Sequence, residues 1–112
     1  MMNAFDVLGD PVRRRILELL ADGASPSGVI AAAVQKEFGI SQPAVSQHLR
    51  VLRESGFTSV EPGGARRMYA IKPTAFSAVD EWMGPFRSFV EQRLDALETE
   101  LERGKRERKG SE

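Results

Sequence analysis

Apolar positions repeat at helical spacing through most of this chain and change to alternation only once. Residues 3–8 form a short apolar segment carrying Phe5, Val7 and Leu8. Gly9-Asp10-Pro11 then marks a helix start. Asp10 is a capping side chain, and Pro11 fits a first turn, where its missing N–H costs nothing. Val12, Ile16, Leu19 and Leu20 follow at helical spacing until Asp22-Gly23. Ser25-Pro26-Ser27 opens a third helix with Val29, Ile30, Val34 and Phe38 as its apolar members, and Gly39 ends it. After the tight connection Gly39-Ile40-Ser41, Val45, Leu49 and Leu52 form an i, i+4, i+7 stripe, and Gly56 closes this fourth helix. Residues 57–61 and 67–71 have the character of short strands, joined by a turn at Pro62-Gly63-Gly64. Pro73-Thr74 begins the last helical region. There Phe76, Val79, Met83, Phe86, Val90, Leu94, Leu97 and Leu101 keep helical spacing to near Arg103. Pro85 cannot donate to the carbonyl of Glu81, so a kink or break is expected at Gly84-Pro85.

The expected order is therefore α-α-α-α-β-β-α, a mainly α domain over residues 1–103 with a charged, disordered tail at 104–112. Two short helices joined by a tight turn, followed by a hairpin, make a winged helix-turn-helix, and its second paired helix suits a DNA major groove. Setting Val45 at the centre of the buried face turns Pro43, Ser46, Gln47 and Arg50 outward, with Gln42 near the helix tip. Gln can pair with adenine, Ser can bond either base type, and Arg can read guanine or hold phosphate.

Composition narrows the chemistry. The 112 residues contain no cysteine and one histidine, which removes disulfides, thiolate metal sites and cysteine nucleophiles. No second histidine or base stands by to activate a serine, and no phosphate-binding glycine loop follows a strand, so an enzyme is not expected. With no signal peptide and no apolar run of the roughly 18 residues a membrane span needs, a cytoplasmic location is expected. Sixteen Lys and Arg balance sixteen Asp and Glu. A DNA-binding surface must then draw on local charge: Arg50 and Arg53 on one helix, Arg66 and Arg67 in the hairpin. Strand alternation lets only one of the last two face DNA.

The segments Leu8-Gly9-Asp10-Pro11-Val12-Arg13-Arg14-Arg15-Ile16-Leu17-Glu18-Leu19-Leu20 and Gly39-Ile40-Ser41-Gln42-Pro43-Ala44-Val45-Ser46-Gln47-His48-Leu49-Arg50-Val51-Leu52-Arg53-Glu54-Ser55-Gly56-Phe57 resemble the second-helix and recognition segments of ArsR/SmtB-type repressors. Gly63-Gly64-Ala65-Arg66-Arg67-Met68-Tyr69 is similar to that family's wing. Val79-Asp80-Glu81-Trp82 and Glu91-Gln92-Arg93-Leu94-Asp95-Ala96-Leu97 look like a metal-independent, autorepressor-like branch. Residues 25–38 are longer than the family's usual third helix.

The resemblance implies a homodimeric repressor of double-stranded DNA acting on a pseudo-palindromic operator. Its candidate DNA contacts are Ser41, Gln42, Pro43, Ser46, Gln47, His48, Arg50, Arg66 and Arg67. His48 falls beside the core stripe, so a packing role competes with a phosphate contact. Among the three consecutive arginines Arg14 points outward, and a structural pairing is expected for Arg15. The candidate dimer interface is Phe5, Leu8, Phe76, Val79, Trp82, Met83, Phe86, Phe89, Val90, Leu94 and Leu97. Phe76, Trp82, Phe86 and Phe89 could instead line a pocket for an unknown small-molecule effector. Asp80, Glu81, Glu91 and Asp95 offer only oxygen ligands, so no metal or other cofactor is expected. A winged-helix protein-interaction module that binds no DNA is the alternative.

Overall fold

In a computed structural model describing residues 2–64 and 66–110, the elements run α1 (Ala4–Leu8), α2 (Pro11–Leu20), β1 (Ser25–Pro26), α3 (Ser27–Phe38), α4 (Gln42–Glu54), β2 (Thr58–Gly63), β3 (Arg66–Ile71) and α5 (Pro73–Gly110). The chain divides into two compact units, Met1–Val79 and Asp80–Glu112. In the first unit, Val7, Ile16, Leu20, Ile30, Val34, Val45, Leu52 and Phe57 are among the buried side chains of a single core. The apolar spacing of α2 and α4 predicted those contributions. In α3, Ile30 and Val34 are buried but Val29 and Phe38 are exposed, so its inward face is narrower than the apolar count suggests.

The local stops and starts follow from side-chain chemistry. Asp10 Oδ1 accepts from the N–H groups of Val12 and Arg13 at 2.8 and 3.1 Å, capping α2. Gly39 ends α3 at φ 65°, a left-handed conformation that glycine adopts without a Cβ clash. At the end of α4, Gly56 N–H donates to the carbonyl of Arg53 and Phe57 N–H to that of Leu52. This pair of bonds is a Schellman closure, and it aims the chain from α4 straight into β2.

The sheet departs from the expected two-stranded hairpin. It is three-stranded and antiparallel in the order β1-β3-β2. Ser25 and Pro26, expected to open the third helix, instead pair with Tyr69 and Met68. A two-residue strand leaves no alternation to detect, and Pro26, with no N–H to give, is tolerated because β1 lies at an edge. Helix α3 then begins at Ser27.

Of the kink or break expected at Gly84-Pro85, the break does not occur. Helix α5 passes through Pro85 as one element. Both residues and Glu81 are exposed, so water can reach the carbonyl that Pro85 leaves without a donor. Residues 104–110, within the charged tail expected from the sequence, are assigned to the end of α5. The helix continues to Gly110 through residues of good helix propensity such as Lys105, Arg106 and Glu107. Ser111 and Glu112 of that tail lie outside the described residues.

Burial opposes the charged form of Asp10. The N–H groups of Arg13 and Val12, with the fields of His48 and Arg13, outweigh it and hold the carboxyl below its ordinary range. A depressed native pKa stabilises the fold above the unfolded-state titration range, and that contribution is lost as pH falls through the native one. Asp10→Ala is expected to cost about 1 kcal/mol at neutral pH through loss of the cap. Urea unfolding should show the gap between variant and parent closing as the pH drops below the ordinary aspartate range.

Candidate nucleic-acid interface

Helix α4 is amphipathic in the way its sequence indicates. Val45, Leu49 and Leu52 are buried, while Gln42, Pro43, Ser46, Gln47, Arg50 and Arg53 are exposed. Ser41 caps the helix, its Oγ accepting from Ala44 N–H at 3.3 Å. The cap occupies one acceptor site of the hydroxyl at the tip of the outward face. Arg50 faces outward but is tied along its own helix, its Nε donating to Glu54 Oε1 at 2.8 Å. The Arg50 guanidinium holds the Glu54 carboxyl below its ordinary range, so this carboxylate stays charged.

The wing adds the other cations. Arg66 pairs with Gly63 and Arg67 with Pro62 across the hairpin, and Gly64 takes φ 69° at its tip. Ala65 of the turn lies outside the described residues. Arg67 lies on the strand face of the buried Tyr69, two residues on, and lines a cleft with Ser46, Arg50 and Arg53 of α4. Arg66, on the opposite strand face, does not line that cleft. Both arginines border a second depression over Pro26, Ser27, Gly28 and Val29. Among the described residues, the guanidinium groups of Arg53, Arg66 and Arg67 form no hydrogen bond or ion pair.

His48 is turned toward the protein, with its side chain 20% exposed. Its Nδ1 lies 3.4 Å from Arg13 Nη1 and 3.9 Å from Asp10 Oδ1. Arginine cannot accept, so the first contact is a hydrogen bond only when Nδ1 is unprotonated and the ring proton sits on Nε2. Arg13 itself is 9% exposed. Its Nε donates to the carbonyl of Val7 at 2.9 Å and its Nη2 to that of Asp6 at 3.1 Å. Sequence reasoning missed this residue. The signal was present, since Arg13 precedes Ile16 by three and Leu20 by seven and so shares their face. Arg15 makes the structural pairing expected of it, with Glu37 at 2.9 and 3.1 Å and Glu18 at 3.3 Å.

Of the expected dimer residues in the first unit, Phe5 is exposed, whereas Leu8, Phe76 and Val79 are half-buried. Phe76 packs edge-on against Phe57, with ring centroids 5.1 Å apart. Leu8 and Phe76 also border an apolar groove of about 540 Å3 with Leu17, Ala21, Ile71 and Pro73. In the second unit, Trp82, Phe86, Phe89, Val90, Leu94 and Leu97 are all exposed, and Met83 is half-buried. Trp82 and Phe86 stack at 4.7 Å, and the Arg93 guanidinium lies 5.5 Å over the Phe89 ring.

Comparison with known proteins agrees with this arrangement. A helix-turn-helix domain family matches residues 8–61. The chain is 40% identical to the HTH-type transcriptional regulator Rv2034 of Mycobacterium tuberculosis, over 68% of this chain and 67% of that one. It is 35% identical to the transcriptional repressor SdpR of Bacillus subtilis, over 74% and 88%. Among solved structures it is similar to the ArsR family transcriptional regulator RHA00566, with 28% identity, a TM-score of 0.62, and 79% and 87% of the two chains covered. The chain belongs to the ArsR-type winged helix-turn-helix transcriptional repressors. Another similar solved structure, the homodimeric winged helix-turn-helix DNA-binding domain of Mb0332 from Mycobacterium bovis, is 25% identical with a TM-score of 0.54, over 81% and 78%. In an ArsR-type chain α3 and α4 are the helix-turn-helix pair and β2 with β3 form the wing.

Replacing Arg13 strands the Val7 carbonyl at the end of α1, leaves the Asp6 carbonyl to Gly9 N–H alone, and removes a buried charge–dipole contact. Arg13→Ala should lower the unfolding free energy by about 2 kcal/mol. Arg14→Ala, which removes a single exposed bond to the carbonyl of Leu8, should cost far less in the same urea titration.

Proposed function

We propose that this repressor binds a pseudo-palindromic operator as a homodimer, inserting the outward face of α4 into the major groove. The observation that carries this reading is that Ser46, Arg50 and Arg53, on the same exposed side of α4 as Gln42, Pro43 and Gln47, share one cleft with Arg67 of the wing. Side chains near the start of α4 reach base edges, and Arg67 holds backbone phosphate or lines a minor groove. Binding blocks transcription by occluding the promoter.

Self-association follows from the second unit. On a helix alone, Leu94, Leu97 and Leu101 are each more than half exposed, at 60%, 54% and 58%. Their spacing is that of a helix–helix seam, and a second copy of the chain is a self-complementary cover. The homodimeric Mb0332 domain supports the same assembly.

Metal control has no support in the donor set. The chain has no thiolate and a single histidine, and that histidine faces Arg13 and Asp10. Among the described residues, no group of three His, Asp or Glu is placed to hold an ion. Nothing in the family match or in the outward face of α4 calls for catalysis.

Four measurements test the proposal. On a duplex selected from a random pool, Gln47→Ala should lose roughly 1–3 kcal/mol and relax preference at one base pair per half-site. Equal weakening on scrambled DNA would show that Gln47 does not read bases. Arg67→Ala should weaken all sequences and lower the salt slope by about one unit per lost phosphate contact. Phe86→Glu should shift the sedimenting species from dimer to monomer at micromolar concentration and weaken operator binding, because each half-site then binds alone. Stoichiometric zinc, cadmium or arsenite should leave the DNA complex intact, as read by fluorescence anisotropy.

A further inference from the structure

The cleft between α4 and β3 has a volume of about 270 Å3. It is lined by Ser27, Ser46, Arg50, Arg53, Arg67 and Tyr69, together with the Leu49 side chain. Three guanidinium groups and three hydroxyls thus border one small polar space, and no carboxylate among the described residues lines it. Arg50 is engaged by Glu54, which also feels the charge of Arg53, whereas the guanidinium groups of Arg53 and Arg67 form no hydrogen bond or ion pair among the described residues. Two unpaired cations bordering one space repel each other until an anion enters. Guanidinium groups are suited to a phosphate because their planar N–H forks match two of its oxygens.

We propose that this cleft seats one phosphodiester of the DNA backbone, gripped jointly by Arg53 and Arg67, with the hydroxyls of Ser27 and Ser46 as further donors. The seat rests on the DNA-binding reading and adds Arg53 and Ser27 to the interface. Its mechanical role is register. A phosphate held between the reading helix and the wing fixes how far α4 advances along the groove, and so which base pair Gln47 meets.

The experiment uses the full chain and a duplex it selects from a random pool, prepared as a series with one neutral methylphosphonate linkage at a time. Wild type, Arg53→Gln and Arg67→Gln are titrated against each duplex. One linkage per half-site is expected at which neutralisation weakens the wild type about tenfold, as for loss of a charge-assisted hydrogen bond. At that linkage neither Arg53→Gln nor Arg67→Gln should weaken binding further, while at all others both should. Arg53→Lys should keep the sensitivity to that linkage, which a purely structural role for Arg53 would not require. Coupling of the two arginines to different linkages, or of Arg53 to none, overturns the seat while operator binding stands. Displacement of the duplex by inorganic phosphate at constant ionic strength also overturns it, by showing a site for a free anion. A wild type that prefers no duplex over scrambled DNA overturns the DNA reading and the seat together.

Discussion

Helix α4 can sit in the domain in only one rotational phase, and most of what the outside of the molecule shows depends on that. Val45, Leu49 and Leu52 are buried in the core, each contributing about 1.5–3 kcal/mol relative to exposure. Turning the helix by one residue would carry Ser46, Arg50 and Arg53 into the core, where their polar groups would lack partners. The same phase sets the wing, because the Leu52 carbonyl is the acceptor for Phe57 N–H and Gly56 turns the chain into β2. Reading face and wing are thus positioned by one buried stripe.

A polar fastening supplements the apolar one. Arg13 is the third residue of α2, at the end of that helix where a positive charge is least welcome. Two features offset this. Asp10 places a carboxylate at the same helix start, and the Arg13 guanidinium reaches back to the opposite pole of α1. The last carbonyls of a helix lack partners within it. That of Val7 is satisfied by Arg13, that of Asp6 is shared between Gly9 N–H and Arg13, and that of Leu8 accepts from Arg14 Nη1 at 2.6 Å. A helix as short as α1 has little stability of its own, so these arginines in effect cap it. With His48 on the same guanidinium, α1, α2 and α4 meet at a single side chain.

Legibility in the sequence followed the physics of each segment. The helices of the first unit, the tight turn at Gly39 to Ser41 and the hairpin were readable because each has a strong local cause: a 3.6-residue stripe, a capping side chain, or a glycine in a left-handed turn. Strand β1 was not readable, because its two residues pair by virtue of where β3 lies and not by their own pattern. At Pro85 the sequence left a kink or a break open, and α5 runs through it as one helix. A proline rule states the local penalty at Pro85, but an exposed helix can leave the freed carbonyl to water. At the candidate interface, the exposed face of α4 came directly from the wheel. The inward turn of His48 and the burial of Arg13 are tertiary facts, since each is explained by the other. The pairing of Arg67 with the α4 side of the wing needed the register of β2 on β3, which one residue of slippage would reverse.

The zero net charge is reconciled with a DNA interface by the way the charges are paired. Arg15 is spent on Glu18 and Glu37, and Arg87 on Asp80. Arg13 and Arg14 are turned to backbone carbonyls. Among the described residues, the guanidinium groups left without a hydrogen bond or ion pair around α4 include those of Arg53, Arg66 and Arg67, on α4 and the wing. A neutral molecule has little long-range attraction for a polyanion, and beyond about 8 Å at physiological salt even that is screened. Its positive potential is therefore felt only at contact. Attraction that begins at contact leaves less to sequence-independent binding at a distance.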